Sequence, residues 1–329
     1  MINIAINGFG RIGRAAFKVA LESNKVKVIA INDLTDTRTL AHLLKYDTVY
    51  GIYNKKVSSD SNHLIVNNKK FAVYAQKEPK NLPWKKLGVK VVLECTGRFT
   101  KKEDAQGHLK AGAKKVIISA PSKSDDVATI VRGVNEPENR GEQIISNASC
   151  TTNCIAPVMK VLEKEFGVAK SLMTTIHSYT ADQNLVDGPH KDLRRARAAG
   201  ANIVPTTTGA ALATCKTIPQ LAGKFDGLAV RVPTICGSLA DITAVVNKSV
   251  TVDKVNNAFK KASRSYLKGI LDVTQEPLVS SDVVGNEYSA VVDLNLTKVI
   301  GDDLVKVIAW YDNEWAYAKR LVEVASEVM

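Results

Sequence analysis

A strand-like run, three closely spaced glycines and a helical pattern follow one another in INIAINGFGRIGRAAFKVALE, residues 2 to 22. The spacing is Gly8-x-Gly10-x-x-Gly13. It permits a tight turn, close approach of a pyrophosphate to the main chain, and close packing of the helix on the strand, with the helix N-terminus facing the negative charge. Glycines in a turn are common, so the context carries the weight. A second strand, VKVIAIN, ends at Asp33, 20 residues beyond Gly13. A carboxylate there accepts hydrogen bonds from ribose hydroxyls and repels a 2′-phosphate, which predicts NAD rather than NADP. The competing reading of Asp33 is a solvated strand end or a helix cap.

The same alternation continues: a helical pattern over 37–45, the strand VKVVLEC, a helix near 102–112 and the strand KKVIISA. Such alternation implies βαβ units and a parallel sheet. From about residue 168 the chain turns β-rich (AKSLMTTIHSYT, GLAVRVPT, SLADITAVVNKSV, YSAVVDLNLT, LVKVIAWYDN), with one helix over 252–267 and a terminal helix after Asn313. The expected fold is α/β: an N-terminal doubly wound parallel sheet over 1–148, then an α+β catalytic domain with a mostly antiparallel sheet over 149–312. Residues 313–329 form a last helix expected to return to the first domain.

Composition narrows the function. No apolar run approaches the roughly 18 residues that span a bilayer, and the first residues lack a signal-peptide pattern, so a cytoplasmic protein with no membrane partner is expected. Five cysteines across 329 residues do not form a disulfide framework, and no second ligand pair accompanies Cys150 and Cys154, so no metal is expected. The charge, 45 − 33 = +12, favours anionic partners. The basic residues are dispersed without a nucleic-acid motif, so nucleic acid is not expected as the main partner.

The stretch SNASCTTNC, residues 146–154, lies where an apolar strand passes into the helical run CIAPVMKVLEKEF. Cys150 would stand at a helix N-terminus, whose dipole and unpaired N–H groups lower a thiol pKa. It is either a nucleophile or an ordinary buried thiol. Cys154, one turn deeper, reads as a small core residue. A thiolate nucleophile needs a base. Among the five histidines only His177 ends an apolar strand and enters a polar segment, and such a histidine serves structure as readily as catalysis.

INGFGRIGR, SNASCTTNC, HSYTADQ, HKDLRRARAA, PTTTGAA, RVPT and WYDNEW resemble, in order and over essentially the whole chain, the signature segments of phosphorylating glyceraldehyde-3-phosphate dehydrogenases. The resemblance implies a Rossmann domain, NAD, the substrates glyceraldehyde 3-phosphate and inorganic phosphate, and a homotetramer. It makes Cys150 the nucleophile and His177 its base. It gives Thr180 and Arg231 the substrate phosphate, and Ser149, Thr151, Thr208, Gly209 and Arg197 the incoming phosphate, with Arg194 and Arg195 left as a solvated or interface cluster. On the cofactor side it places Arg11 and Ile12 at the pyrophosphate, Asp33 at the ribose, Lys77, Thr96 and Ser119 around the adenosine, Asn313 at the carboxamide and Tyr317 near the nicotinamide.

Four positions depart from that pattern. Lys77 stands where arginine is usual and loses planar stacking. Gly188 stands for leucine, which weakens the preference for NAD. Cys236-Gly237 replaces Asn-Val near the binding loop, and Ala316 replaces a glycine. The nearest alternative is an erythrose-4-phosphate dehydrogenase with the same Cys–His pair. A basic nucleic-acid-binding or adhesion protein would have no need of Cys150.

Overall fold

The computed structural model describes residues 1–135 and 141–329. Of these, 1–130, 141–148 and 317–329 gather into one unit, and 131–135 and 149–316 into another. Segment 131–135, which the sequence reading places in the first block, thus joins the second. The Lys160 ammonium donates to the carbonyls of Gly133 (2.7 Å) and Val134 (3.0 Å). Gly133 has φ +80°, a conformation that favours glycine.

The first unit is built on a nine-stranded sheet in the order Ala128–Thr129, Ile144–Ser146, Lys115–Ile118, Val91–Glu94, Ile2–Asn7, Val26–Asn32, Lys69–Tyr74, His63–Val66, Val57–Ser59. Every pairing up to Lys69–Tyr74 is parallel; the last two are antiparallel. This is a Rossmann-type sheet, as the alternating pattern implies. Its central strands are apolar on both faces: Ile4, Ala5, Ile6, Val91, Val92 and Leu93 are fully buried. Helix Arg11–Glu22 lays Ala15, Ala16, Phe17, Val19 and Ala20 inward, where Phe17 meets Phe9 and Phe71 edge-on at 5.4 and 4.9 Å between ring centres.

The second unit holds a seven-stranded sheet in the order Val204–Thr206, Phe225–Val232, Val168–Ser178, Ser238–Val246, Leu304–Tyr311, Ala290–Ile300, Leu271–Thr274. Four of its pairings are antiparallel and two parallel. Along Ser238–Val246 buried and half-buried residues alternate one by one, the signature of a sheet covered more fully on one face. The covering helices are Cys150–Phe166, which buries Ile155, Val158, Met159 and Leu162, and Val252–Arg264, which turns Val255, Phe259 and Ala262 inward. No helix among the described residues is long and apolar enough to cross a membrane.

Candidate active site

Helix Cys150–Phe166 begins at the thiol because Ser149 caps it: the Ser149 hydroxyl oxygen accepts from Thr152 N–H at 3.0 Å. Half-buried Cys150 therefore sits among first-turn N–H groups. Its Sγ lies 3.4 Å from Nε2 of His177, which closes strand Val168–Ser178 and is 3% exposed. The parallel neighbour Phe225–Val232 puts Arg231 in register with His177. One Arg231 Nη1 stands 2.8 Å from His177 Nδ1 and 3.0 Å from Ser178 O, while Nδ1 is 2.6 Å from the same carbonyl. Nδ1 can donate to Ser178 or accept from Arg231, not both at once.

These surroundings correct one expectation. Burial, then the Arg231 charge, push the His177 imidazole down to about 3 despite the Ser178 carbonyl. Burial raises the Cys150 thiol, although Arg231, Thr151 and the backbone N–H groups all pull it down. Both shifts run against the depressed thiolate that a helix N-terminus alone suggests. Three of the other thiols are raised too. Cys95 is pushed up to about 12 by burial and by Glu94, Cys154 rises well above its ordinary range, and Cys215 is raised by burial and Asp226.

Tyr311 escaped the sequence reading, since a tyrosine in an aromatic strand end reads as core. It is buried, stands edge-on to His177 at 6.0 Å, and its hydroxyl joins Thr151 Oγ1 (3.0 Å) and Thr175 Oγ1 (2.8 Å). It thereby links the turn carrying the thiol to the strand carrying the base.

The arginines considered for the incoming phosphate differ in their surroundings. Arg197 is 62% exposed and pairs with exposed Asp187 at 2.8 Å. Arg195 is the one turned inward. It is 20% exposed and donates to Thr206 Oγ1 (2.9 Å) and Thr207 O (3.1 Å), it pairs with Asp182, and its charge acts on Arg231. Three arginines within four residues look alike in sequence; the fold of the loop distinguishes them. Thr208 and Gly209 directly precede helix Ala210–Thr217; Gly209 at the N-cap makes no side-chain cap, and Thr208 Oγ1 accepts from Ala210 N–H at 3.2 Å. Thr180 is half-buried at the end of strand Val168–Ser178.

In the first unit the glycine spacing is required by contact. Gly8 has φ +91°, and a Cβ on it would lie 2.7 Å from Thr96 N; a Cβ on Gly13 would lie 2.0 Å from Gly8 O. Gly10, with open space around it, precedes helix Arg11–Glu22, which has no side-chain cap and no acid in its first turn. That cradle fits a pyrophosphate through the backbone of Arg11 and Ile12. The Arg11 guanidinium itself is turned to Asp47, at 3.1 to 3.2 Å. Asp33 directly follows its strand, with one oxygen accepting from Phe9 N–H (2.7 Å) and the other from Thr35 N–H (2.9 Å), which leaves lone pairs for ribose hydroxyls. Lys77 is exposed, and Thr96 and Ser119 are half-buried at the ends of neighbouring strands. Tyr317 is buried and donates to Ala148 O at 3.0 Å, so it supports the left-handed residue (φ +54°) ahead of Ser149.

Asn313 lies just beyond strand Leu304–Tyr311. Its Oδ1 accepts from Gly237 N–H (3.2 Å) and Ser238 Oγ (2.9 Å), which aims its NH2 group elsewhere. The Cys236-Gly237 departure lies at this contact. Gly237 has φ +90° and would bring a Cβ to 2.1 Å from Ser280 O, while the Cys236 thiol donates to Asp312 Oδ1 at 3.3 Å. Gly188 has Asn184 Nδ2 only 3.2 Å from where its Cβ would be. Among the described residues no group of histidine, cysteine and acidic side chains is arranged to hold a metal.

Residues 2–102 match the family model described as glyceraldehyde 3-phosphate dehydrogenase, NAD binding domain, and residues 149–313 the one described as its C-terminal domain. The chain is 53% identical to the glyceraldehyde-3-phosphate dehydrogenase of Geobacillus stearothermophilus over 329 residues, covering 99% of this chain and 98% of the relative. It is 54% identical to glyceraldehyde-3-phosphate dehydrogenase 1 of Bacillus cereus over 328 residues, again 99% and 98%. It is 53% identical to the Mycobacterium bovis glyceraldehyde-3-phosphate dehydrogenase over 335 residues, with the same coverage. The Gly8 to Gly13 turn ahead of a helix, the carboxylate that follows the second strand and the paired thiol and imidazole agree with these matches: the chain is an NAD-dependent oxidoreductase and belongs to the glyceraldehyde-3-phosphate dehydrogenase family.

Proposed function

We propose that the chain oxidises D-glyceraldehyde 3-phosphate to 1,3-bisphosphoglycerate through a thioester on Cys150, with inorganic phosphate as the second substrate. The observation that carries this is the 3.4 Å approach of Cys150 Sγ to His177 Nε2, with Arg231 in register behind the imidazole. Sγ adds to the aldehyde carbon as the thiol proton passes through His177 Nε2 to the carbonyl oxygen, whose developing charge the N–H groups of the capped helix start stabilise. His177 Nε2 takes the hydroxyl proton of the adduct as its hydride departs, a role worth about 10² to 10⁴ in rate. NAD, when bound, supplies the hydride acceptor. Phosphate then attacks the thioester carbon, and the thiolate leaves.

The phosphate ester of the substrate is assigned to Thr180 and Arg231. Inorganic phosphate is assigned to Ser149, Thr151, Thr208, Gly209 and, in place of Arg197, Arg195. Guanidinium forks, hydroxyls and N–H groups at a helix start are the groups that hold such anions. A cytoplasmic homotetramer is the state proposed for the working enzyme. Leu185, Val186 and Leu193 on the loop after strand Val168–Ser178 are 83%, 72% and 81% exposed, a surface that association would cover.

NADH formation from glyceraldehyde 3-phosphate with and without phosphate tests the reaction; phosphate-independent turnover, or faster turnover of erythrose 4-phosphate, would overturn it. A monomer mass by light scattering at micromolar protein would remove the tetramer.

A further inference from the structure

Three neighbouring parallel strands of the first unit end in Asn7, Asn32 and Glu94, which are 1%, 5% and 1% exposed. Their carboxyl ends form the edge at which a sheet of this kind holds a dinucleotide. The side chains bond in a line. Gln76 N–H donates to Asn32 Oδ1 (2.9 Å), and Asn32 Nδ2 donates to Gln76 O (3.0 Å) and to Asn7 Oδ1 (2.7 Å). Asn7 Nδ2 donates to Glu94 Oε2 at 2.5 Å.

From the other side Trp84 Nε1, which can only donate, gives its hydrogen to His108 Nδ1 at 3.0 Å. The histidine's own hydrogen is therefore on Nε2, which donates to Glu94 Oε2 at 3.0 Å. Thr96 supplies two more donors to Oε1, its N–H at 2.8 Å and its hydroxyl.

The direction of this line is forced. The N–H and C=O of Gln76 cannot exchange roles, so the Asn32 amide has one orientation. Its NH2 group sets Asn7, whose NH2 group must then face Glu94. Asn7, His108 and Thr96 aim four donors at one side chain, a demand that a carboxylate meets and an amide does not.

The loops joined this way surround the cofactor cradle. Gly8 N–H donates to Asn32 O at 2.8 Å, and Gly8 is bare because Thr96 N lies against it. Lys77 follows Gln76. We propose that Glu94 is a positioning residue for NAD: by accepting from both sides it fixes the Thr96 loop against the Gly8 turn and, through Asn7 and Asn32, the loop that carries Lys77. It touches no reacting atom.

The test is a donor–acceptor exchange read by ligand affinity. Glu94→Gln sets an NH2 group against the Asn7 and His108 donors, and Asn7→Asp sets carboxylate against carboxylate. Each single change should raise the Kd of NAD and of ADP-ribose together, on the order of tenfold or more. The KM of glyceraldehyde 3-phosphate and the alkylation rate of Cys150 without cofactor should stay put.

In the double variant, Asn7→Asp with Glu94→Gln, the carboxylate at position 7 accepts from Asn32, from the introduced amide and from His108 Nε2, which already lies 3.4 Å from Asn7 Nδ2. Most of the lost affinity should return. Single variants that melt lower yet bind NAD and ADP-ribose normally would make Glu94 merely structural and overturn the proposal. A double variant that binds no better than either single change, or does not fold, would overturn it as well. Should the singles fail to fold, a double variant that folds and binds supports it.

Discussion

The guanidinium of Arg231 stands 2.8 Å from Nδ1 of His177, so the residue assigned to the substrate phosphate also presses on the proposed base. Its charge adds to burial in holding the imidazole near a pKa of about 3. In the ligand-free protein the His177 resonance should not titrate between pH 5 and 9 by NMR. Arg231→Leu should move its midpoint upward. A bound, unreactive phosphomonoester such as glycerol 3-phosphate should do the same, because it engages the guanidinium and leaves Nδ1 to donate to Ser178 O. No movement in either case would separate the two residues.

The same depression has a stability consequence. An unfolded chain protonates His177 near 6.5, whereas the folded chain resists until about 3. The unfolded state therefore binds more protons in that window. The contribution to stability is complete above about pH 6.5 and is lost as pH falls towards 3, on the order of a few kcal/mol. His177→Asn should flatten the acid limb of a urea-midpoint profile; an unchanged limb would contradict it. The variant should also keep NAD affinity while acylation slows by about 10² to 10⁴.

Among the five thiols, Cys150 should be the first to react with iodoacetamide, since it combines partial exposure, helix N–H groups and the Arg231 charge. Without ligands the rate should climb with pH, with a midpoint above the ordinary thiol value of about 8.5. Peptide mapping that finds Cys95 or Cys215 labelled first would refute the ranking. Cys150→Ser should lose dehydrogenase activity with the fold intact.

Arg195 and Arg197 offer a paired comparison. Arg195→Leu removes an inward donor set and should raise the KM for inorganic phosphate roughly 10-fold to 100-fold, the range for a lost charge-assisted bond. Arg197→Leu breaks an exposed ion pair and should change it less than about threefold. The reverse order would restore the original choice of Arg197.

Asp33 should dominate cofactor choice. Its carboxylate acts on a 2′-phosphate at contact distance, whereas the surface charge of +12 is screened beyond about 10 Å. Discrimination for NAD of roughly tenfold to several hundredfold in kcat/KM is expected, narrowed by Asp33→Gly. Equal use of NADP by the wild type would defeat the ribose argument.

The elements that the sequence settles are those where one residue's chemistry answers a local demand. Gly8 and Gly13 could be read in advance because a tight turn and a close helix–strand approach exclude a Cβ. The Cys150 helix start was legible from a small polar cap followed by an apolar run, and the parallel and β-rich halves from their periodicity. What needed the tertiary structure is whatever depends on partners distant in the chain. Strand pairing brings Arg231 to His177, 54 residues away, and helix packing on the sheet brings Thr151 to Tyr311, 160 away. Burial at those meetings reverses the pKa shift that a helix N-terminus alone would impose on Cys150, because desolvation outweighs the dipole there. The choice of Arg195 over Arg197 and the donors converging on Glu94 belong to the same class: each residue's role is set by which neighbours the fold supplies, and local pattern does not contain that.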